Sequence, residues 1–176
     1  MKILSSCCIG LALLLISGCG SKNDSTERAQ PNIIFILADD LGYGDLGSYG
    51  QELIETPHLD ALASEGMKFT QAYATSVCSP TRVSLMTGMN AARHQVTNWT
   101  LKKDQIQPME TNHKTLQFPR WNVNGMSPIA GDNNAVHATP LPQLLKDGGY
   151  FTIHSGKAHL GAIGTLGEDP KNLGFD

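Results

Sequence analysis

The sequence predicts an α/β fold, a largely parallel sheet flanked by helices. Residues 32–38 (Asn-Ile-Ile-Phe-Ile-Leu-Ala) are a continuous apolar, β-branched run of strand length, the pattern of a strand covered on both faces. Further strand-like runs alternate with segments that open on a hydroxyl residue plus proline and close on glycine, which is helix chemistry. The composition agrees: 176 residues, 40% apolar and 16% charged, suit one ordinary globular domain. A net charge of −3 excludes a basic nucleic-acid footprint, so no nucleic-acid partner is expected.

The chain opens with Lys2 and the apolar run 9–16, too short for a membrane span of about 20 residues but right for a signal-peptide core. Ile16-Ser17-Gly18-Cys19 follows and resembles a bacterial lipobox, whose cysteine is lipidated and becomes the first mature residue. The alternative is an ordinary signal peptide with Cys19 incidental. Residues 1–18 are therefore expected to be a leader, and 19–30, polar and free of large apolar side chains, a tether. Residues 31–176 form the folded part. The protein is expected to be exported and lipid-anchored at a bacterial membrane or cell surface, periplasmic or extracellular. Cys7 and Cys8 leave with the leader and Cys19 carries lipid, so Cys78 is left over in a compartment where thiols pair. It is reactive or modified, or it pairs with a cysteine beyond residue 176.

Within the folded part, the strand at 32–38 ends at Asp39-Asp40 and a glycine-rich stretch, 41–47. Thr56-Pro57 starts a helix with Leu59, Leu62 and Ala63 as its apolar stripe and Gly66 as its stop. Residues 67–74 alternate as a second strand, with Phe69 and Tyr73 on one face. Ser79-Pro80 starts another helix, carrying Val83, Leu85 and Met86 inward and ending at Gly88. Thr139-Pro140 opens a third, with Leu141, Leu144 and Leu145 at core spacing, and 150–154 is a short strand. Residues 97–138 are polar and irregular, too long for a plain connection, and are expected to run over the active face. Asn98-Trp99-Thr100 inside it matches a glycosylation acceptor by chance.

Three segments carry chemistry. Asp39 and Asp40 stand at the carboxyl end of a buried strand, where α/β folds bind ligands. Adjacent carboxylates repel unless a hard cation such as Ca2+ or, second, Mg2+ intervenes, although aspartates are also common turn residues. Cys78-Ser79-Pro80-Thr81-Arg82 puts a cysteine just before a helix start, where N–H groups and the helix dipole favour anions, with Arg82 one turn on. That cysteine is a nucleophile of lowered pKa, or only a small residue before a capped helix. Gly156-Lys157-Ala158-His159 follows the last strand; an extended segment would present Lys157 and His159 on one side, a cation and a titratable imidazole. An ordinary exposed loop is the alternative there.

In this order the segments resemble the N-terminal part of a type I sulfatase of the alkaline-phosphatase-like superfamily. Pro31 to Asp45 resembles the family's opening strand and metal motif, Thr56-Pro57-His58-Leu59-Asp60 its next helix, and Cys78-x-Pro80-x-Arg82 its signature. The resemblance implies a sulfuric ester hydrolase. Cys78 would be oxidised by a formylglycine-generating maturation enzyme, and its aldehyde hydrate would attack the sulfate of a small molecule or glycan. Asp39 and Asp40 would hold Ca2+, which also contacts residue 78. Arg82 would fix the modified residue, Lys157 would bind it and the sulfate, and His159 would take a proton to expel sulfate. Ala158 stands where the family usually has tryptophan. The family usually continues for several hundred residues beyond the position of Asp176. The expectation is thus a truncated product that binds metal poorly and turns over little or nothing alone. Rival readings are a formylglycine-dependent phosphonate or phosphate ester hydrolase, which the Cys78 signature does not separate, and a non-catalytic surface lipoprotein.

Overall fold

A computed structural model describes residues 30–105 and 121–176. The leader, Cys19, the tether up to residue 29 and residues 106–120 of the irregular stretch lie outside the described residues. The chain divides into two units, Met1–Ala38 and Asp39–Asp176. In the first, residues 31–38 join no ladder, and Ile34 and Ile36 are 87% and 80% exposed.

Among the described residues of the second unit are four α-helices: α1 (Pro57–Glu65), α2 (Cys78–Thr87), α3 (Ala91–His94) and α4 (Leu141–Asp147). Short 3-10 turns lie at Tyr43–Asp45, Gly47–Tyr49, Leu166–Glu168 and Pro170–Leu173. Local punctuation explains the helix ends. Gly66 and Gly88 cap α1 and α2, their N–H groups bonding Leu62 O and Ser84 O, and Gly88 adopts φ 66°, which costs an L residue strain. Thr56 does not cap α1 through its side chain. Its hydroxyl instead accepts the Gly47 N–H and donates to the Asp60 carboxylate, tying α1 to the glycine-rich stretch.

Three expectations fail. The strands at 32–38, 67–74 and 150–154 do not form: among the described residues there is no paired strand, only the isolated bridges Lys102–Ile163, Gly125–Gly161 and Met126–Val136. A strand is stable only against a partner's backbone, and none of these bridges involves the three runs. Met67, Phe69, Tyr73, Phe151 and Ile153 accordingly stay exposed. The inward stripes of α1 and α4 also fail, since Leu59, Leu62, Leu141 and Leu144 face solvent. Nor is 97–138 merely a surface excursion. Thr100, Val123, Asn124, Met126 and Ser127 in it are buried.

The core sits under α2. Val83 packs with Val96, Met126, Leu160 and Leu173, and Met86 and Val136 lie against them. Three backbone segments cross beside this cluster with no side chain between them. A Cβ on Gly125 would strike Leu160 O, one on Gly161 the Gly167 carbonyl, and one on Gly167 Met126 O. Met126 N–H donates to Leu160 O (2.8 Å) and Ala162 N–H to Asn124 O (3.1 Å) across the same crossing. That crossing fixes residues 160–162, and with them the segment that carries Lys157 and His159.

Candidate active site

Cys78 is the first residue of α2 rather than the residue before it, because the helix begins one position earlier than its serine and proline imply. Arg82 lies one turn on. Its guanidinium reaches away from Cys78 to the Asp39 carboxylate (Nη2 to Oδ1 3.2 Å) and donates through Nη1 to the Lys157 carbonyl. The Lys157 ammonium meets the other Asp39 oxygen at 2.6 Å and donates to Cys78 Sγ at 3.2 Å. Asp39, Cys78, Arg82 and Lys157 thus form one continuous polar array.

Burial is graded across it. The Arg82 side chain is 9% exposed, whereas those of Asp39 and Lys157 are 40% and 44% exposed. Hydrogen bonds from Lys157 and then Arg82 hold the Asp39 carboxyl below the ordinary range. The Asp39 carboxylate and then Cys78 hold the Lys157 ammonium above its ordinary value. These shifts widen the pH range over which Asp39 is an anion and Lys157, touching the sulfur, a cation.

Asp40 and His159 are placed differently. Asp40 is exposed, with φ 59°, and makes none of these contacts. His159 has φ 50°, so the extended run that would set it beside Lys157 is broken at that residue. Its Nε2 meets the Thr100 carbonyl at 3.1 Å, and its Nδ1 is buried without a hydrogen-bond partner among the described residues. Burial holds its pKa below the ordinary histidine value. A cavity of about 600 Å³, walled in part by His154, Lys171 and Phe175, shares His159 but none of the four residues of the array.

The donor set does not complete a calcium shell. Among the described residues no three His, Cys, Asp or Glu side chains converge. Both Asp39 oxygens already face cations. Ca2+ takes six to eight oxygens.

Sequence reasoning missed Thr100 and His94. Thr100 lies in the set-aside glycosylation triplet, and its hydroxyl is buried against Ser79 (3.1 Å). His94 is fully buried and bonds Ser84 Oγ (2.9 Å) and Val96 N (3.0 Å). Neither residue belongs to a pattern that points to these contacts; only long-range packing identifies them.

Comparison with known proteins adds the family. The Sulfatase family model matches residues 31–176. The N-acetylgalactosamine-6-O-sulfatase of Bacteroides thetaiotaomicron is 37% identical over 95% of this chain, and mouse arylsulfatase G is 38% identical over 89%. The chain spans only 30% and 25% of their lengths. Among solved structures, one described for the metabolism of multiple glycosaminoglycans by Bacteroides thetaiotaomicron superposes with TM-score 0.59 and 33% identity. It is covered over 27% of its length, by 84% of this chain. Ps i-CgsB superposes with TM-score 0.60 at 33% identity, over 83% of this chain and 27% of its own. Its complex with k-i-k-neocarrahexaose gives 0.54 at 29%, over 78% and 25%.

Proposed function

This chain belongs to the sulfatase family, as part of its α/β, alkaline-phosphatase-like fold, and from that premise we propose that it serves a formylglycine-dependent sulfuric ester hydrolase acting on a sulfated glycan. The observation that carries the reading is the contact of the Lys157 ammonium with Cys78 Sγ at the first turn of α2, with Lys157 itself held by Asp39. A group oxidised at that sulfur position keeps a cation beside it and the helix N-terminus under it, where an anionic ester is favoured. The glycan is supported by the relatives, one an N-acetylgalactosamine-6-O-sulfatase and another solved with neocarrahexaose.

The hydrate of a formylglycine made from Cys78 by a maturation enzyme would supply two hydroxyls on one carbon, one to displace the glycan alcohol from sulfur and one whose deprotonation would expel sulfate and restore the aldehyde. Lys157 orients that group and neutralises a sulfate oxygen. Arg82 acts through Asp39 and the Lys157 carbonyl, holding the lysine in place rather than touching residue 78. His159 takes the proton. Ca2+ belongs to the proposal as the companion of Asp39 and Asp40; there it would compete with Arg82 and Lys157 and needs ligands beyond these two carboxylates. With so loose a donor set, we expect calcium binding in the millimolar range or weaker and little turnover by this chain alone. Export and lipidation at Cys19 complete the proposal, and Cys19→Ala should release the protein from membranes.

Peptide mass spectrometry across Cys78, after co-expression with a formylglycine-generating enzyme, tests the reading: the thiol mass should be replaced by that of the aldehyde. An intact cysteine under those conditions sinks it. Hydrolysis of an aryl phosphonate in preference to an aryl sulfate would move the protein to the sister activity.

A further inference from the structure

We propose that Ser79 and Thr100 are positioning residues that fix the tautomer of His159, making Nδ1 its basic nitrogen. The inference rests on the reading of His159 as the proton acceptor and names the atom that does the work. A backbone carbonyl can only accept, so the 3.1 Å contact between Nε2 and Thr100 O requires the proton on Nε2. The neutral ring then carries its lone pair on Nδ1, the atom that is buried and without a partner among the described residues. A buried acceptor left unbonded is costly, so Nδ1 is poised to take up a hydroxyl hydrogen that arrives beside it.

Thr100 holds its carbonyl in place through Ser79. The Thr100 N–H donates to Ser79 Oγ at 3.1 Å, and the two hydroxyls are bonded to each other at 3.1 Å. Ser79 is fully buried and Thr100 is 1% exposed, so water does not compete for these bonds. Ser79 directly follows Cys78 in the first turn of α2. One helical turn therefore presents the sulfur and, through two hydrogen-bonded residues, orients the imidazole. The x positions of the Cys78-x-Pro80-x-Arg82 motif are thus not equivalent. Residue 79 is turned inward to the base, while Thr81 bonds locally to Thr75 and Val77.

The test is nuclear magnetic resonance of the 15N-labelled 176-residue protein at about pH 8, where imidazoles of ordinary or lowered pKa are neutral. Two-bond proton–nitrogen correlations report the tautomer, and comparison with His159→Gln assigns the signal. The expected wild-type spectrum shows the Nε2–H tautomer with a protected ring proton. Thr100→Ser, which keeps hydroxyl and N–H, should leave it unchanged. Thr100→Val removes one bond and should speed exchange of that proton about fivefold, the effect of one hydrogen bond. Ser79→Ala removes both and should speed it further, with the second tautomer visible. A general loss of stability would lower the melting temperature of both variants without this graded order. The Nδ1–H tautomer in the wild type, or a protected Nε2–H in a folded Thr100→Val protein, overturns the proposal. Because the readout is the imidazole and not turnover, an unmodified Cys78 would end the formylglycine reading and leave this result standing.

Discussion

At the scale of single residues, two sets of titrating groups lose their contribution to stability in acid, each at a different pH. Burial lowers the pKa of His94 and of His159 from 6.5, so the unfolded chain takes up protons there before the folded one does. Their sign is fixed by that order: stability is full above about pH 6.5 and declines as pH falls below it, by at most about 1.4 kcal/mol per pH unit for each proton. Asp39, Asp104 and Asp176 are depressed from 3.8, by Lys157, Asn134 and Lys146 respectively, and their contributions disappear only as pH falls below that value. Acid unfolding should therefore begin with histidines and end with carboxylates. His94→Gln tests the first stage. It should cost about 1–3 kcal/mol at pH 7.5, by leaving Ser84 and the Val96 N–H without their partner. It should also flatten the slope between about pH 7 and 5. Urea titrations at several pH values measure both, and an unchanged slope would show that another group carries the effect. The residues of the array were legible one at a time, because an acid pair, a cysteine before a helix and a lysine after an apolar run are local patterns. Their partners were not. Asp39 lies 43 residues from Arg82 and 118 from Lys157, and nothing in the chain between them encodes that closure.

At the scale of elements, His94 of the four-residue α3 bonds α2 through Ser84 Oγ at 2.9 Å and the backbone of Pro80. The Val96 N–H occupies His94 Nδ1, so Nε2 carries the proton and donates to the serine. Asn90 caps α3 by accepting the Arg93 N–H at 2.9 Å. Asn90→Ala and Ser84→Ala should each cost about 1 kcal/mol. The double variant should lose less than their sum, since either change alone already loosens the same short helix. Chemical denaturation of the three proteins decides this, and strictly additive losses would show the cap and the bridge to be independent. The same scale separates what the sequence could show from what it could not. Thr56-Pro57, Gly66 and Gly88 mark α1 and α2 within a residue, because capping is chemistry between near neighbours. α3 is too short to display a helical period, and only Asn90 hints at it. The three strands failed for the reason opposite to the helices: a ladder needs a distant partner, and apolar runs such as Ile33 to Leu37 state the demand without naming what meets it.

At the scale of the whole molecule, exposed large apolar side chains outnumber buried ones among the described residues. Ile34, Ile36, Leu53, Met67, Tyr73, Phe151 and Ile153 are all more than 70% exposed. Among the described residues, the buried cluster under α2 is built from five. Surface of this kind associates or binds hydrophobic dyes. The isolated 176-residue chain should enhance anilinonaphthalene sulfonate fluorescence and should scatter light increasingly with concentration. A dye-silent, monodisperse solution would mean that these side chains are covered in ways the described contacts do not include. The composition, 40% apolar, is ordinary for a globular domain and does not say which of these residues find a partner.

The crossing of Gly125, Gly161 and Gly167 bears on how a catalogue of tolerated substitutions for this chain should be read. Each glycine is shut against another segment's backbone, so even alanine is refused. A saturation scan scored on activity alone would rank these three positions with Cys78 and Lys157, and a reader looking for chemistry would draw them into the site. Scored on the amount of folded protein the two groups part. The glycine variants vanish from the soluble fraction, while substitutions at the exposed Lys157 leave it full.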